Sequence, residues 1–339
     1  MAHMNRAFVL KHRPTANLAA GDLELVETPV RELAQGELLI RNIYLSLDPT
    51  NRIWMSDREQ YLPPVGVGDV MRGGTVGVVE ESRSDRFAPG DIVMPAEGGW
   101  ALYCISHERA TRRVRMASGV PLTAHLSVVG PTGLTAYFGL LDICDPQPGE
   151  TLVVSAAAGA VGSVVGQIAK IKGVRVVGIA GGEAKCRWIV DDLGFDAAID
   201  YKNEDVGAAL DRLCPDGIDM NFENVGGPIM DAVFSRLRLH GRMSLCGMIS
   251  GYNEEGPLAG PTDFGRVLMK RLTIRGFIVI DYMAQAKQAY TDLSQWVSEG
   301  RLKWKDHVVD GLENAPSALD RLFTGNHDGK LMVRISPET

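Results

Sequence analysis

The sequence predicts an α/β fold, a partly open β-barrel joined to a doubly wound parallel sheet. Three observations predict it. Up to about residue 125 the chain reads as short strands punctuated by glycine and proline, with few helical periods. From residue 151 strand and helix patterns alternate, the mark of a parallel sheet with crossover helices. The tail, residues 329–335, returns to an alternating strand.

In the first part, residues 36–45 make an apolar strand and residues 73–80 another, whose glycines indicate a bend or a close backbone approach. Residues 87–95 turn at Pro89 and Gly90 into a short strand, and residues 100–105 follow as the next. Near Leu122 the texture changes, and residues 131–141 have helical content. The alternating half then offers six strands, at 151–154, 174–180, 198–201, 217–222, 241–246 and 272–278. Helices fit 186–193, 206–213, 229–237 and 262–270, and a further helix over 283–298 leads to residues 302–309. A last strand after such a sheet most simply rejoins the barrel. The expected division is therefore 4–127 with 307–339 as a discontinuous barrel domain, and 128–306 as the parallel-sheet domain.

The junction at the start of that sheet carries the strongest chemical signal. Thr151-Leu-Val-Val passes through Ser-Ala-Ala-Ala into Gly159, Ala160, Val161 and Gly162, and the chain continues as a helix. Gly159 permits a tight strand-to-helix turn, Gly162 removes a side chain where a diphosphate must approach, and Gly166 lets the helix lie close to its strand. The unpaired N–H groups and positive end of that helix would then face the diphosphate. A second strand pattern at 174–180 completes a βαβ unit of about 30 residues, which raises the motif above a chance glycine match.

The end of the second strand selects the cofactor. An NAD site places a carboxylate there for the ribose 2′-hydroxyl, whereas this chain reads Ala180-Gly-Gly-Glu-Ala-Lys185. Small residues leave room for a 2′-phosphate and Lys185 offers it a positive charge, which favours NADPH. Glu183 opposes this if it turns inward.

Composition sets the outer bounds. At 339 residues the chain has room for two domains, and 45% apolar with 23% charged residues describes a globular protein. A net charge of −7 with no basic run excludes a nucleic-acid surface. No run approaches the roughly 20 apolar residues of a membrane span, and the N-terminus has no signal-peptide pattern. A cytoplasmic setting is expected. The five cysteines and seven histidines are scattered without metal-ligand spacing, so a metal-free site is expected.

A dinucleotide domain set between a barrel and its final strand resembles the medium-chain dehydrogenase/reductase superfamily. Its zinc-dependent members carry a Gly-His-Glu signature and a four-cysteine lobe. This chain has Met71-Arg-Gly-Gly-Thr-Val-Gly77 in the comparable region and no cysteine lobe, which places the resemblance among the zinc-free members. Within those it is similar to the leukotriene B4 dehydrogenase/prostaglandin reductase and alkenal double-bond reductase family. The matching segments are Tyr44-Leu-Ser-Leu-Asp-Pro49 with Arg52, Gly133-Leu-Thr-Ala-Tyr-Phe-Gly-Leu140 and the glycine turn through Lys170. Asp200-Tyr-Lys202, Phe222-Glu-Asn-Val-Gly-Gly227 and Cys246-Gly-Met-Ile-Ser-Gly-Tyr-Asn253 follow in family order.

The resemblance implies a GroES-like barrel, a Rossmann domain, NADPH, and reduction of a carbon–carbon double bond conjugated to a carbonyl. Hydride would go to the β-carbon, and Tyr252 would stabilise the enolate that forms. By position, Gly159, Ala160, Val161 and Gly162 would hold the diphosphate and Lys185 the 2′-phosphate, with Tyr201 beside it. Asn224 would contact the cofactor at a strand end. Cys246, Gly247, Met248, Ile249 and Ser250 would line the nicotinamide side, and Phe277, Ile278 and Val279 would lie near the ring. The family often has Asn two residues before the tail Gly-Lys, where this chain has His327 preceded by Asn326. Thr50-Asn51 stands where the family has Tyr-Met, which implies a different pocket wall. The same residues also fit a quinone or carbonyl reductase of the superfamily, or a non-catalytic NADPH-binding sensor. A homodimer is implied too, with edge strands such as 272–278 paired across a two-fold axis.

Overall fold

The computed structural model describes residues 3–115 and 119–338. Residues 116–118 and 339, which fall within the expected barrel domain, and residues 1–2 lie outside the described residues. The chain opens with β1 (Met4–Leu10) and β2 (Leu23–Pro29), an antiparallel pair. Then come β3 (Glu37–Ser46), the short helix α1 (Thr50–Trp54), β4 (Thr75–Ser82), β5 (Ile92–Pro95), β6 (Tyr103–His107) and β7 (Thr111–Arg113). Strand β3 is the centre of this half: it pairs antiparallel with β4 and with β6. Its near-continuous apolar run is explained by burial on both faces, with Leu38, Ile40, Ile43 and Leu45 fully buried. At Gly77 the expected close approach is real, because a Cβ there would stand 2.3 Å from the Arg41 carbonyl oxygen.

Helix α2 (Pro131–Phe138) leads into the second half. It comprises β8 (Thr151–Val154), α3 (Gly162–Ile171), β9 (Arg175–Ala180), α4 (Glu183–Arg187), β10 (Ala197–Asp200), α5 (Val206–Leu213), β11 (Ile218–Glu223) and α6 (Gly227–Phe234). Then follow β12 (Leu237–Leu245), α7 (Arg266–Lys270), β13 (Thr273–Gly276) and α8 (Ala286–Ser298). The six strands form one sheet in the order β10-β9-β8-β11-β12-β13, every neighbouring pair parallel. That is a doubly wound sheet whose order reverses between β8 and β11, the place where such sheets take ligands. Strand period two assigns the faces. Leu152, Val154 and Val176 pack with Leu134, Val165, Ile168 and Leu293 of α2, α3 and α8. Val153, Val177 and Ile179 pack on the opposite face with Leu210, Val233 and Phe234 of α5 and α6.

The chain then returns to the first half. β14 (Asp306–Asp310), α9 (Ala315–Thr324) and β15 (Lys330–Arg334) follow, and β15 pairs parallel with β14 and antiparallel with β3. The α/β class, the parallel sheet and the rejoining tail strand agree with the sequence reading.

Several elements differ from it. Strands β1 and β2 and helix α9 have no counterpart in the reading; β2 is half exposed and interleaves Glu24, Glu27 and Thr28 with its apolar residues. The expected helix 229–237 ends at Phe234 and Leu237 already belongs to β12, which kinks at His240, a non-glycine residue at φ 64°. The helix expected over 262–270 is confined to Arg266–Lys270, and the strand over 272–278 to Thr273–Gly276. Helix α4 begins at Glu183, ahead of 186, because Gly182 at φ 95° turns the chain into it.

Candidate active site

The loops at the C-terminal ends of β8, β9, β11 and β12 meet at the reversal of strand order. After β8 the chain turns through Ser155–Ala158 and enters α3 with Val161 as its cap residue, without a side-chain cap hydrogen bond. Within the first turn Ser163 N and Val164 N donate to Gly159 O and Val161 O, both at 3.0 Å, which leaves the Gly162 N–H for a ligand. Here the two glycines separate in purpose. A Cβ on Gly162 would stand 2.5 Å from the Ala156 carbonyl oxygen and 2.9 Å from Ala157 Cα. Gly162 is therefore required by the turn's own backbone, which corrects its expected role of clearing space for the diphosphate. A Cβ on Gly159 would meet only Ala156 O, at 3.1 Å, so Gly159 is the less confined of the two. Ala160 and Val161 between them are half-buried. Gly166 admits the Phe195 ring, which would touch a Cβ at 1.9 Å; the helix is packed close by that ring rather than by its strand.

At the end of β9 the arrangement also differs in detail. Glu183 pairs with Arg187 at 3.3 Å and both side chains are largely exposed, so this carboxylate faces away. The space beside Gly181 is not empty: a Cβ there would lie 2.9 Å from the Tyr201 hydroxyl and 3.0 Å from Lys202 Cε. Lys185 is not free either. Its Nζ donates to the Gly325 carbonyl at the end of α9, 2.7 Å away. Burial pushes the Lys185 ammonium below its ordinary value, Asp328 opposes that, and the neighbouring Lys202 charge adds to it. Lys202 thus stands beside Lys185 at this strand end, a neighbour that the sequence does not single out although it follows Tyr201 in a quoted segment.

The switch point is organised by Glu223, which the reading passed over in favour of Asn224. The Glu223 carboxylate is fully buried and accepts from Val225 N at 2.7 Å, Gly226 N at 2.8 Å and Ser155 Oγ at 2.9 Å on one oxygen. Its other oxygen accepts from Asn221 Nδ2 at 3.1 Å. Burial raises its pKa, against the pull of these four donors. Asn224 is tied across to β8, its N–H on Ser155 Oγ at 2.8 Å and its side-chain amide nitrogen on Ser155 O at 2.7 Å. The side-chain carbonyl of Asn224 is the acceptor that remains. A buried carboxylate between an apolar strand and Val-Gly-Gly is a turn-cap signal that would have found Glu223.

The loop after β12 is strapped to this turn. Cys246 N and Gly247 N donate to Glu223 O at 2.9 and 3.1 Å, and Ile249 N donates to Asn224 O at 3.2 Å. Ser250 donates its hydroxyl to Val225 O at 2.7 Å, so that side chain serves the loop. Burial pushes the Cys246 thiol up to about 12, which keeps it protonated and unreactive. Tyr252 folds back so that its phenol oxygen accepts the Met248 N–H at 2.9 Å. Burial carries the phenol pKa up to about 12. Phe277 corrects the expectation for 277–279: its ring faces Gly139, Phe222 and Tyr282 in the core, so the ring itself is committed to packing. Ile278 and Val279 are half-buried, and Val279 packs on the same core.

From the barrel side, Thr50 Oγ1 is hydrogen-bonded to the Tyr61 hydroxyl. Asn51 is buried, accepts Asp48 N at 2.7 Å and donates to Arg72 O at 3.3 Å, which closes the turn into α1. Asp48 also pairs with Lys330 Nζ at 2.5 Å, and that lysine is buried and bonded to Leu47 O at 3.0 Å. One residue before it, Gly329 forms a parallel bridge with Gly159 of the cofactor turn. The tail thus joins both halves of the site. His327 bonds through Nδ1 to Arg321 O at 3.0 Å, and burial drives its pKa down to about 4, while Asn326 is exposed. The His327 ring therefore caps α9 instead of reaching freely toward a cofactor. Among the described residues no three His, Cys, Asp or Glu side chains gather as a metal site.

Comparison with known proteins agrees with this geometry. Residues 6–114 match a family model described as the N-terminal domain of oxidoreductase, and residues 160–299 one described as zinc-binding dehydrogenase. The chain is 42% identical over 337 residues to the NADPH-dependent curcumin reductase of Escherichia coli (strain K12), covering 98% of this chain and 97% of that one. It is 39% identical to prostaglandin reductase 1 of Bos taurus, covering 97% of this chain and 98% of that one. With the NADP(+)-dependent 2-alkenal reductase of Nicotiana tabacum it shares 38% identity, over 98% of both chains. Among solved structures, CurA from Vibrio vulnificus in complex with NADPH superposes with a TM-score of 0.92 at 43% identity, covering 98% of this chain and 99% of that one. The chain belongs to the zinc-free medium-chain dehydrogenase/reductases, in the prostaglandin reductase and alkenal double-bond reductase family.

Proposed function

We propose that this chain, an NADPH-dependent oxidoreductase acting on CH–CH bonds, reduces the carbon–carbon double bond of α,β-unsaturated aldehydes and ketones without a metal. The observation that carries the reading is the Tyr252 hydroxyl, held by Met248 N–H and kept protonated by burial, on a loop strapped to the switch point. The residues present fit the cofactor. An added Cβ on Gly159 meets only Ala156 O, at 3.1 Å, one on Gly182 has nothing within 4 Å, and Lys185 and Tyr201 would stand at the ribose end. Gly159, Ala160, Val161 and Gly162 would hold the diphosphate and Asn224 the far side of the crevice. Cys246 to Ser250, the backbone of Phe277, Ile278 and Val279 would border the nicotinamide, and His327 would shape the tail wall.

When bound, NADPH supplies the hydride that the β-carbon of the substrate accepts. The protein has two tasks: holding the reactants in register, and placing a donor where negative charge grows on the carbonyl oxygen. Tyr252 meets the second, since its oxygen already accepts Met248 N–H and its own proton is left to donate. An enolate is a weak enough base for a phenol to stabilise, which is why no metal is called for. Relatives named curcumin, prostaglandin and 2-alkenal reductases support this substrate class.

The proposal extends to assembly, setting and division of labour. Strand β13 is the edge of the parallel sheet, and α7 before it presents Leu268 and Met269, 70% and 65% exposed. A two-fold axis at that edge would pair the sheets of two copies and cover both side chains. Five free thiols fit a reducing, cytoplasmic compartment, and no helix of the described residues is long and apolar enough to cross a membrane. Residues 4–127 and 307–339 would form the substrate-side domain and 128–306 the cofactor domain. Steady-state NADPH oxidation with an enal, an enone, a quinone and a simple alcohol tests the reading. Turnover of the enal and enone is expected. Turnover of the quinone alone would point to a quinone reductase, and no consumption at all to a sensor.

A further inference from the structure

We propose that Lys202 is the second cation of the 2′-phosphate site and a determinant of the choice of NADPH over NADH. This rests on the reading of Lys185 as the first. Tyr201 and Lys202 lie across Gly181 at the end of β9, where only a residue without a side chain admits them. A Cβ on Gly325 would lie 4.0 Å from both Lys202 Nζ and the Tyr201 hydroxyl, while Lys185 Nζ bonds the Gly325 carbonyl at 2.7 Å. Gly325 is thus flanked by the two ammonium groups.

Two like charges held this close are unfavourable unless something negative joins them. Asp328 acts on Lys185 and Asp200 on Lys202 through space, but neither carboxylate closes on its lysine. Among the described residues no ion pair within 4.0 Å includes Lys185 or Lys202. The nearby Asp200 is occupied by Gly182 N at 2.7 Å, Lys202 N at 3.1 Å and Asn203 Nδ2 at 2.7 Å. Lys185 already gives one of its three N–H donors to Gly325, so a phosphate dianion there takes part of its coordination from another group. Lys202, with the Tyr201 hydroxyl beside it, is that group. It lies more open to solvent than Lys185, so Lys185 contributes the larger share.

The test is equilibrium binding of NADPH, NADH, 2′,5′-ADP and 5′-AMP to the full-length protein, with Lys202→Met and Lys202→Arg, and thermal melting to verify folding. Lys202→Met should weaken NADPH and 2′,5′-ADP by about fivefold to tenfold, leave NADH and 5′-AMP unchanged, and reduce the salt dependence of 2′,5′-ADP binding. Lys202→Arg should restore most of the loss. Unchanged NADPH binding in a folded Lys202→Met protein, or equal weakening of NADPH and NADH, would overturn the role of Lys202. If the unaltered protein binds 2′,5′-ADP no better than 5′-AMP, the underlying NADPH reading of this subsite falls with it.

Discussion

The phenol oxygen of Tyr252 lies 2.9 Å from the Met248 backbone nitrogen and accepts its N–H. Gly247 makes the contact possible, since a Cβ there would stand 3.0 Å from the same hydroxyl. With one lone pair engaged and the pKa raised to about 12 by burial, the tyrosine is fixed as a neutral donor through the physiological range.

Tyr252→Phe should therefore lower kcat by about a hundredfold, the scale of losing one donor to a developing oxyanion. The NADPH dissociation constant should stay within about twofold, since the ring remains. Gly247→Ala should move kcat in the same direction by displacing the hydroxyl. Single-turnover rates and fluorescence titration separate the two quantities. Equal loss of rate and affinity would remove Tyr252 from the chemistry.

The two glycines of the cofactor turn predict opposite outcomes. Gly162→Ala forces a Cβ to 2.5 Å from Ala156 O and should cost about 1–3 kcal/mol of stability, read as a lower Tm. Gly159→Ala meets only Ala156 O, at 3.1 Å, so Tm should fall much less than in Gly162→Ala while NADPH binds about tenfold more weakly.

His327 predicts an acid-side effect. Its folded pKa falls from 6.5 to about 4, chiefly through burial, so between those values the unfolded chain binds the extra proton. Stability is complete above pH 6.5, declines as pH falls toward 4, and the loss from this ring levels off below that. Because the ring is half-buried, the loss is about 1–3 kcal/mol after allowance for solvent. His327→Asn should flatten the Tm profile over this window. A parallel profile in the variant would assign the acid loss to other groups.

The exposed face beside β13 predicts a dimer. Leu268→Asp should shift sedimentation from dimer to monomer at micromolar concentration with the circular dichroism spectrum unchanged, because Leu268 is 70% exposed within one chain. A wild-type monomer would contradict the proposed pairing.

Much of this was legible because period and punctuation speak directly. The alternation of Leu152, Val153 and Val154 between two cores is a strand pattern, and Gly159 with Gly162 marks the turn that follows. What stayed hidden depends on three-dimensional neighbours. Gly162 reads the same in sequence whether its missing side chain clears a ligand or Ala156. Lys330 looks like an ordinary residue of an alternating strand, and only the fold pairs it with Asp48, 282 positions away. In sequence Lys185 reads as a cation for a phosphate, yet in the fold it also bonds the Gly325 carbonyl, 140 residues on. Glu223 is visible in its segment, and Asn221, Val225 and Gly226 are its immediate neighbours, but its fourth donor, Ser155, lies 68 residues earlier.

In the proposed reaction hydride goes to the β-carbon of a conjugated double bond and Tyr252 receives the resulting charge. It is tested most directly by following one turnover of an enone with NADPH deuterated at the transferred position, with the product read by NMR and mass spectrometry. The expected product is a saturated ketone carrying the deuterium on its β-carbon, formed slowly by Tyr252→Phe with the same labelling. An allylic alcohol with deuterium on the carbonyl carbon would contradict it.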